Sequence, residues 1–336
     1  MRRFAYVEPE SLQAASRILA REGEGARPIA GGADLLGEMK DGIIEPRTVV
    51  DLKSIPGLDR IRLEEDGTVR IGALATLTAV ETDDAIRREF PAVGQAAASV
   101  ASPEIRNVGT VGGNLCQRPR CWYYRSPLHP CLKKGGEVCY TLEGDSRYNA
   151  ILGGGPSFIV HPSDLAPALV ACGARVGISG PAGPRELPLE EFYVLPEVRL
   201  DRETILEHGE IVTEVTLPRR WSAAGGARSL FLKFREKDSF DFALVSVAAA
   251  LTLRDGRCET GRVVLGGVAP IPWRSRRAEA EIEGEALDPI TVGRAAEAAL
   301  AAAAPLAHNG YKVPLAKALI RRALLDLARE AGASSR

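Results

Sequence analysis

The sequence predicts an α+β protein of more than one domain, and three observations lead to this prediction. The chain has 336 residues, which is more than a single hydrophobic core usually serves. Short strand and helix patterns alternate as far as about residue 220, which is typical of α/β subdomains. Long strand patterns followed by helices then indicate an α+β domain with its helices on one face of a β-sheet. We therefore expect two domains, 1–222 and 223–336.

The N-terminal elements follow from periodicity and from capping residues. Residues 4–7 have the pattern of a short strand. Ser11 can cap a helix whose apolar residues recur at helical spacing, and Gly23 would end that helix. Residues 27–40 indicate a strand, a Gly-Gly turn and a helix, and 48–52 indicate a further buried strand. Together these elements predict a small α/β subdomain.

The remaining elements indicate a second subdomain and the C-terminal domain. Asp66-Gly67 lies between two strand patterns and predicts a hairpin turn. Residues 78–102 are rich in alanine and predict helix, which we expect to stop at Pro103. The linker LPRRWSAAGGA places the domain boundary near residue 222. After it come the strand patterns SLFLKFRE, ALVSVAAALTLRD and RVVLGGVAP and an amphipathic last helix.

Composition and charge exclude several classes of protein. Hydrophobic residues make up 45% and charged residues 26% of the chain, as in soluble globular proteins. The formal net charge is -1, so no global field favours nucleic acid or an anionic membrane as a partner. No apolar run approaches the roughly 18 residues that a membrane-spanning helix needs. The N-terminal segment lacks a complete secretory signal, so we expect a cytoplasmic protein, or a periplasmic one if a signal-bearing partner carries it across.

Two glycine-rich loops are candidates for binding phosphate groups. The first is GGAD at 31–34, after a strand, and the second is GTVGGN at 109–114. Adjacent glycines let the backbone approach a pyrophosphate closely, and a following helix N-terminus offers free N–H groups. Neither loop has the G-x-G-x-x-G or G-x-x-x-x-G-K-[ST] spacing, so Rossmann-type NAD binding and P-loop chemistry lose support. From the residues alone, both loops could also be simple tight turns.

Four of the six cysteines lie close together, at Cys116, Cys121, Cys131 and Cys139. Disulfides need an oxidising compartment, for which the chain carries no signal of its own. Structural zinc usually uses closely spaced pairs, and only one pair here is close. An iron–sulfur cluster tolerates uneven spacing, and basic neighbours would offset its negative charge, namely Arg118, Arg120, Arg125, Lys133 and Lys134. The spacing leaves a cluster, zinc and unliganded thiols all open.

Five motifs along the chain resemble, in order, those of a known family. They are PIAGGADLLGEMK, EIRNVGTVGGNL, HPSDLAPALVACGA, HGEIVTEVTLP and KFREKDSFDFALVSVAAAL. Together they look like the FAD-binding (medium) subunit of the xanthine dehydrogenase and molybdenum hydroxylase family, over nearly the whole chain. The resemblance implies a vanillyl-alcohol-oxidase-type FAD-binding domain in two α/β subdomains, followed by a C-terminal α+β domain.

The resemblance also implies which residues hold the FAD. The first loop would wrap the pyrophosphate, the second would contact the second phosphate and the ribityl chain, and three later residues would lie near the sugar or the flavin. In order, these residues are Pro28, Ile29, Ala30, Gly31, Gly32, Ala33, Asp34 and Leu35; Ile105, Thr110, Gly113 and Asn114; and Asp164, Val212 and Lys233. Lys233 would stabilise reduced, anionic flavin. Without the resemblance, Asp164 would be interpreted as a helix N-cap and Lys233 as an exposed strand residue.

The chain departs from most of the family by an insert of about 45 residues, from Leu115 to about Val160. An insert with four cysteines resembles a narrower group, including the FAD subunits of 4-hydroxybenzoyl-CoA reductase and of aldehyde oxidoreductase, in which it carries an additional [4Fe-4S] cluster. Cys121, Cys131 and Cys139 match this group. The reductase type places its fourth ligand about where Tyr148 stands here, so Cys116 would complete the set.

The function that the resemblance implies is electron transfer. A large subunit with molybdenum cofactor would oxidise the substrate, and electrons would pass through [2Fe-2S] centres of a small subunit to FAD here and then to an external acceptor such as ferredoxin. No catalytic residues are predicted, because the four histidines are scattered without a Ser/His/Asp or H-E-x-x-H grouping. Two alternatives remain open: a zinc-stabilised nucleotide-binding module without a redox role, and a stand-alone flavin oxidase.

Overall fold

The computed structural model describes residues 1–333, with side chains as far as residue 329, and the chain forms three β-sheets with their helices. Among these residues, no helix combines the length and the apolar composition that crossing a bilayer requires. The strands are β1 (Ala5–Val7), β2 (Ala26–Ile29), β3 (Thr48–Asp51), β4 (Ile61–Leu63), β5 (Val69–Gly72), β6 (Arg175–Gly180), β7 (Gly183–Pro188), β8 (Ile211–Leu217), β9 (Ala227–Phe234), β10 (Val245–Arg254), β11 (Arg257–Gly266) and β12 (Trp273–Arg274). The α-helices are α1 (Leu12–Glu22), α2 (Leu35–Lys40), α3 (Leu77–Thr82), α4 (Asp84–Glu89), α5 (Pro91–Ser99), α6 (Pro103–Val108), α7 (Val111–Leu115), α8 (Leu165–Ala171), α9 (Arg276–Ile282), α10 (Pro289–Ala299) and α11 (Lys312–Ala333).

The first sheet is parallel, in the order β1-β3-β2. The Oγ of Ser11 accepts a hydrogen bond from the N–H of Ala14 at 3.2 Å, which satisfies a free N–H at the start of α1. Gly23 adopts φ +54 and ends α1. The predicted cap and stop are therefore confirmed, and β2 leads directly into the first glycine loop.

The second sheet is antiparallel, in the order β4-β5-β8-β6-β7, and it packs with α3, α4, α5, α7 and α8 around a common core. The hairpin at Asp66-Gly67 is confirmed, with Gly67 at φ +83. The helical run expected over 78–102 ends before Pro103, at Ser99, but it is broken into α3, α4 and α5, and Pro103 begins α6 as Pro91 begins α5. The prediction of one continuous helix was wrong because the Asp83 side chain caps α4 and because the missing N–H of proline costs nothing in the first turn of a helix.

The third sheet is antiparallel, in the order β12-β11-β10-β9, and it is covered on both faces. Helices α9–α11 pack on one face, where Val247 and Ala249 join their core. Helices α5 and α8 pack on the other face, where Ala248 and Ala250 join the core of the second sheet. The C-terminal helices thus lie on one face, as predicted, and the opposite face holds the two halves of the chain together.

The insert between α7 and α8 is an irregular segment that the start of α11 holds in place. The buried Nζ of Lys312 donates to three carbonyl oxygens, those of Tyr148 at 3.0 Å, Asn149 at 3.1 Å and Gly267 at 2.7 Å. The Nδ2 of Asn309 adds bonds to the carbonyl oxygens of Asn149 and Ala150, both at 3.1 Å. Burial lowers the pKa of Lys312 to about 7. The last helix therefore fixes the position at which the insert returns to the fold.

Candidate FAD and cysteine sites

The two predicted glycine loops lie in backbone contact with each other. A Cβ atom at Gly31 would collide with the carbonyl group of Val108, the residue that precedes the second loop. Gly32 adopts φ +73, a conformation that L side chains rarely adopt. Ile105 lies on α6, and its carbonyl oxygen accepts the N–H of Gly109 at 2.7 Å. The first loop, 28–35, and the second therefore form one continuous backbone surface.

The second loop is anchored to the end of β5 and to a third motif. The N–H of Gly112 donates to the carbonyl oxygen of Ala73 at 2.7 Å, and the Oγ1 of Thr110 accepts the N–H of Gly113 at 3.2 Å. The buried Oδ1 of Asn114 accepts the hydroxyl of Ser163 at 2.5 Å. This last bond brings the GTVGGN and HPSDLAP motifs, which are separate in the sequence, to one place.

Asp164 and Lys233 form a buried ion pair. The Nζ of Lys233 lies 2.6 Å from the Oδ2 of Asp164, and the two side chains are 4% and 5% exposed. Lys233 also donates to the carbonyl oxygen of Ser99 at 3.0 Å. Burial raises the pKa of Asp164, and the Lys233 ammonium partly opposes the rise. Asp164 precedes α8 but its side chain does not cap that helix, so the ion pair, and not a cap, accounts for the residue.

A cavity of about 270 Å³ opens beside this pair. Its walls come from the insert, from residues 160–164 and from the end of the third sheet at 241–244 and Gly267. The buried ring of His161 lies in the wall, and its Nε2 has no partner among the described residues. Burial lowers the pKa of His161 to about 4, so the imidazole is neutral at neutral pH.

The cavity and the loops fit FAD. A volume of about 270 Å³ is near the lower end of ordinary ligand pockets, about 300–1,000 Å³, and suits the ring end of a cofactor rather than all of it. The unpartnered Nε2 of His161 is a buried polar atom that a ligand would satisfy. Of the predicted contacts, Asp164 lies in the cavity wall, and the second glycine loop reaches that wall through the bond between Asn114 and Ser163. Val212 pairs with Ile178 in the second sheet and is buried in that core.

The four insert cysteines occupy different surroundings. The thiol of Cys116 packs against the core of the second sheet, where burial raises its pKa to about 12. Cys121 lies in the cavity wall, with its Sγ 3.8 Å from the Nδ2 of Asn149. Burial also raises the pKa of Cys131. Among the described residues, no three His, Cys, Asp or Glu side chains converge to hold a metal ion. The arrangement therefore does not fit a ready-made four-thiolate site, and the ligand set stays a prediction.

Four of the five basic residues near the cysteines pair with carboxylates, whereas Lys134 donates to the carbonyl oxygens of Tyr123 and Ser126. Arg120 and Arg125 contact Asp34 of the first glycine loop at 3.0 and 2.6 Å. Arg118 and Lys133 contact the buried carboxylate of Glu203 at 2.9 and 2.5 Å. From the sequence alone, their charge is expected to offset that of a thiolate-ligated cluster. Only the folded chain shows these partners, because they lie far away in sequence.

Comparison with known proteins agrees with this geometry. Residues 2–220 match the family described as the FAD binding domain in molybdopterin dehydrogenase, and residues 230–327 match the CO dehydrogenase flavoprotein C-terminal domain. The aldehyde oxidoreductase FAD-binding subunit PaoB of Escherichia coli (strain K12) is 37% identical over 97% of this chain and 98% of its own length. The carbon monoxide dehydrogenase medium chain of Afipia carboxidovorans is 29% identical over 96% of this chain and 95% of its own.

Solved structures give the same assignment. A chain of carbon monoxide dehydrogenase from Hydrogenophaga pseudoflava superposes with a TM-score of 0.77, at 27% identity, over 98% of both chains. A chain of quinoline 2-oxidoreductase from Pseudomonas putida 86 superposes with a TM-score of 0.75, at 26% identity, over 98% of both chains. The order of the sheets, the paired glycine loops and these similarities lead to one conclusion: the chain belongs to the family of FAD-binding subunits of molybdopterin dehydrogenases.

Proposed function

We propose that this chain binds FAD and transfers electrons within a molybdenum hydroxylase complex. The observation that carries the proposal is the meeting of the two glycine loops beside a cavity with a buried Asp164–Lys233 pair. FAD accepts electrons singly and releases one or two, which suits a subunit between a metal centre and a soluble acceptor. The chain's own residues bind the cofactor, orient it and exclude water from it.

We assign the contacts to FAD as the sequence analysis predicted them. Residues 28–35 would hold the pyrophosphate, and the second loop, with Ile105, Thr110, Gly113 and Asn114, would hold the second phosphate and the ribityl chain. The Oδ2 of Asp164 accepts a hydrogen bond from the Lys233 ammonium, so Oδ1 is the oxygen that is available to polar groups of the cofactor. The ammonium would stabilise negative charge on reduced flavin. Val212 would contribute only through its backbone.

We also propose the organisation around the chain. The domain boundary would lie near residue 222, and the stretch between the end of β8 at Leu217 and the start of β9 at Ala227 supports this position. The partners would be a molybdenum-cofactor large subunit and a [2Fe-2S] small subunit, because the similar proteins are named as FAD-binding subunits or medium chains. An external acceptor such as ferredoxin would receive the electrons, and the complex would be cytoplasmic unless a signal-bearing partner exports it.

The [4Fe-4S] cluster is the finer part of the proposal. The resemblance of Cys121, Cys131 and Cys139 to the cysteines of the insert-bearing type supports it, together with 37% identity to an aldehyde oxidoreductase subunit. The geometry of the thiols does not support Cys116 as the fourth ligand, because that thiol packs against the core of the second sheet. We therefore assign no step of electron transfer to the cluster.

Optical absorption and metal analysis of the purified chain test these proposals. We expect flavin bands, and, if the cluster is present, a broad shoulder at about 400–420 nm with iron and sulfide in the protein. Equimolar zinc without iron or sulfide would support the zinc alternative and contradict the proposal of an iron–sulfur cluster. Turnover of a substrate by this chain alone would support the stand-alone oxidase. A chain that takes up no FAD would overturn the main proposal.

A further inference from the structure

We propose that Arg125 and Arg120 of the insert are positioning residues for the first glycine loop, and that they act through Asp34 to raise the affinity for FAD. The inference rests on the proposed function, because it concerns the loop that would hold the FAD pyrophosphate. It gives the start of the insert a role that is independent of any metal at its cysteines.

Asp34 is held from three directions by the insert. The Nη2 atoms of Arg125 and Arg120 lie 2.6 and 3.0 Å from its Oδ1, and the backbone N–H of Arg118 donates to its Oδ2 at 2.7 Å. Arg125 bridges 91 positions of sequence to reach this carboxylate. Charge-assisted bonds of this kind are about twice as strong as neutral ones. The carboxylate therefore has few other orientations, and the loop that carries it is fixed to the insert.

Arg125 is itself held in place. Its Nε donates to the carbonyl oxygen of Pro119 at 2.7 Å, and its guanidinium lies 5.6 Å from the ring centre of Tyr124. The Tyr124 hydroxyl donates in turn to the buried Glu38, one turn after Asp34 on α2, at 2.5 Å. The insert thus binds α2 at two successive carboxylates, and this defines where the glycine loop ends.

Charge explains why the contact concerns FAD. A free carboxylate at Asp34 would repel a pyrophosphate bound by the same loop, since like charges at short distance disfavour each other. Two guanidinium groups face the Asp34 carboxylate, and the next carboxyl group on α2, Glu38, accepts the Tyr124 hydroxyl. The side chain of Arg118 pairs with Glu203 at 2.9 Å. Arg120 and Arg125 therefore neutralise Asp34 and remove its repulsion of a bound anion.

The test is a titration of the FAD-free chain with FAD, followed by flavin fluorescence. We expect Arg125→Gln and Arg120→Gln each to raise the Kd roughly tenfold or more, because the first removes a charge-assisted hydrogen bond to Asp34 and the second an ion pair with it. Arg21→Gln is the control: Arg21 is an exposed arginine of α1 that pairs with its neighbour Glu22 at 3.0 Å. Its Kd should stay within about twofold of wild type.

A double-mutant cycle separates positioning of Asp34 from general damage. In an Asp34→Asn background no carboxylate needs neutralising, so Arg125→Gln should weaken FAD binding by much less than it does in the wild-type background. An equal loss in both backgrounds, or a wild-type Kd in Arg125→Gln, overturns the inference. Should Arg125→Gln fail to fold, Arg120→Gln completes the same cycle, since Arg120 is more exposed than Arg125. A wild-type chain without any FAD binding would instead refute the proposed function.

Discussion

Replacing Lys233 by methionine would leave a buried carboxylate without its counter-ion. The Nζ–Oδ2 distance to Asp164 is 2.6 Å, and both side chains are almost fully buried. At an effective dielectric constant of about 20, Coulomb attraction at this distance is about 6 kcal/mol, most of which offsets the desolvation of the two charges. Removing one partner of such a pair costs about 3–5 kcal/mol. We expect Lys233→Met to lower the free energy of unfolding at neutral pH by that amount.

The pH dependence of this loss has a defined sign. Burial already raises the pKa of Asp164, and Lys233→Met removes the charge that opposes the rise, so the pKa rises further. A carboxyl group whose pKa is higher in the folded than in the unfolded state binds its proton preferentially when folded, so stability falls as pH rises through the folded pKa. The deficit relative to wild type should therefore be smaller at about pH 5 than at about pH 8.

Urea unfolding of the FAD-free chain, followed by tryptophan fluorescence, measures this loss. Lys237→Met is the matched control, because Lys237 is an exposed lysine four residues further on and its replacement should cost at most about 0.5 kcal/mol. Adding Asp164→Asn to Lys233→Met removes the unpaired charge and should restore much of the stability. Two results would contradict this expectation. One is a urea midpoint of Lys233→Met equal to that of Lys237→Met, and the other is a double variant whose loss of stability equals the sum of the losses in Lys233→Met and Asp164→Asn.

Three other expectations concern the loops, the last helix and the insert. Gly31→Ala should abolish FAD binding, because the added Cβ would collide with the carbonyl group of Val108. The control Gly37→Ala in α2 has space for its Cβ and should bind FAD like the wild type. Normal FAD binding by Gly31→Ala would contradict this expectation. The pKa of Lys312 is about 7 in the folded chain and 10.5 in the unfolded one, so the free energy of unfolding of the wild type should rise with pH between these values, relative to that of Lys312→Met. Urea midpoints of the two proteins that change in the same way with pH would contradict this expectation. Cys131→Ser, with FAD retained, should lose the iron and sulfide of the proposed cluster; iron and sulfide contents equal to those of the wild type would leave the thiol a structural role.

Local features of the fold could be predicted from the sequence because short-range rules decide them. Ser11 and Gly23 bound α1 through capping chemistry, and Asp66-Gly67 forms its hairpin because glycine reaches positive φ there. The strand–glycine–helix order of the first loop is local in the same sense. Pro103 shows the limit of such rules: proline is compatible with the start of a helix as well as with its end, and only the neighbouring packing selects between them.

The pairing of the candidate site could not be predicted, because it depends on which distant segments meet. Asp164 and Lys233 are 69 positions apart, and Asp34 and Arg125 are 91 apart. Family resemblance placed both members of the first pair near the cofactor but did not show that they bind each other. The basic residues around the cysteines suggested charge compensation for a cluster, whereas their carboxylate partners belong to other elements, as Asp34 does.

The contacts of Lys312 have a consequence for the order in which the protein matures. Lys312 lies in the last tenth of the chain, and it closes the return of the insert by binding carbonyl groups more than 160 positions earlier. During synthesis the cysteine segment is complete long before this closing residue exists. Contacts between such distant segments form late, so we expect this end of the insert to be closed only when translation is nearly finished. The start of the insert, which binds α2, has its partners far earlier, so the two ends of one segment are fixed at opposite ends of synthesis.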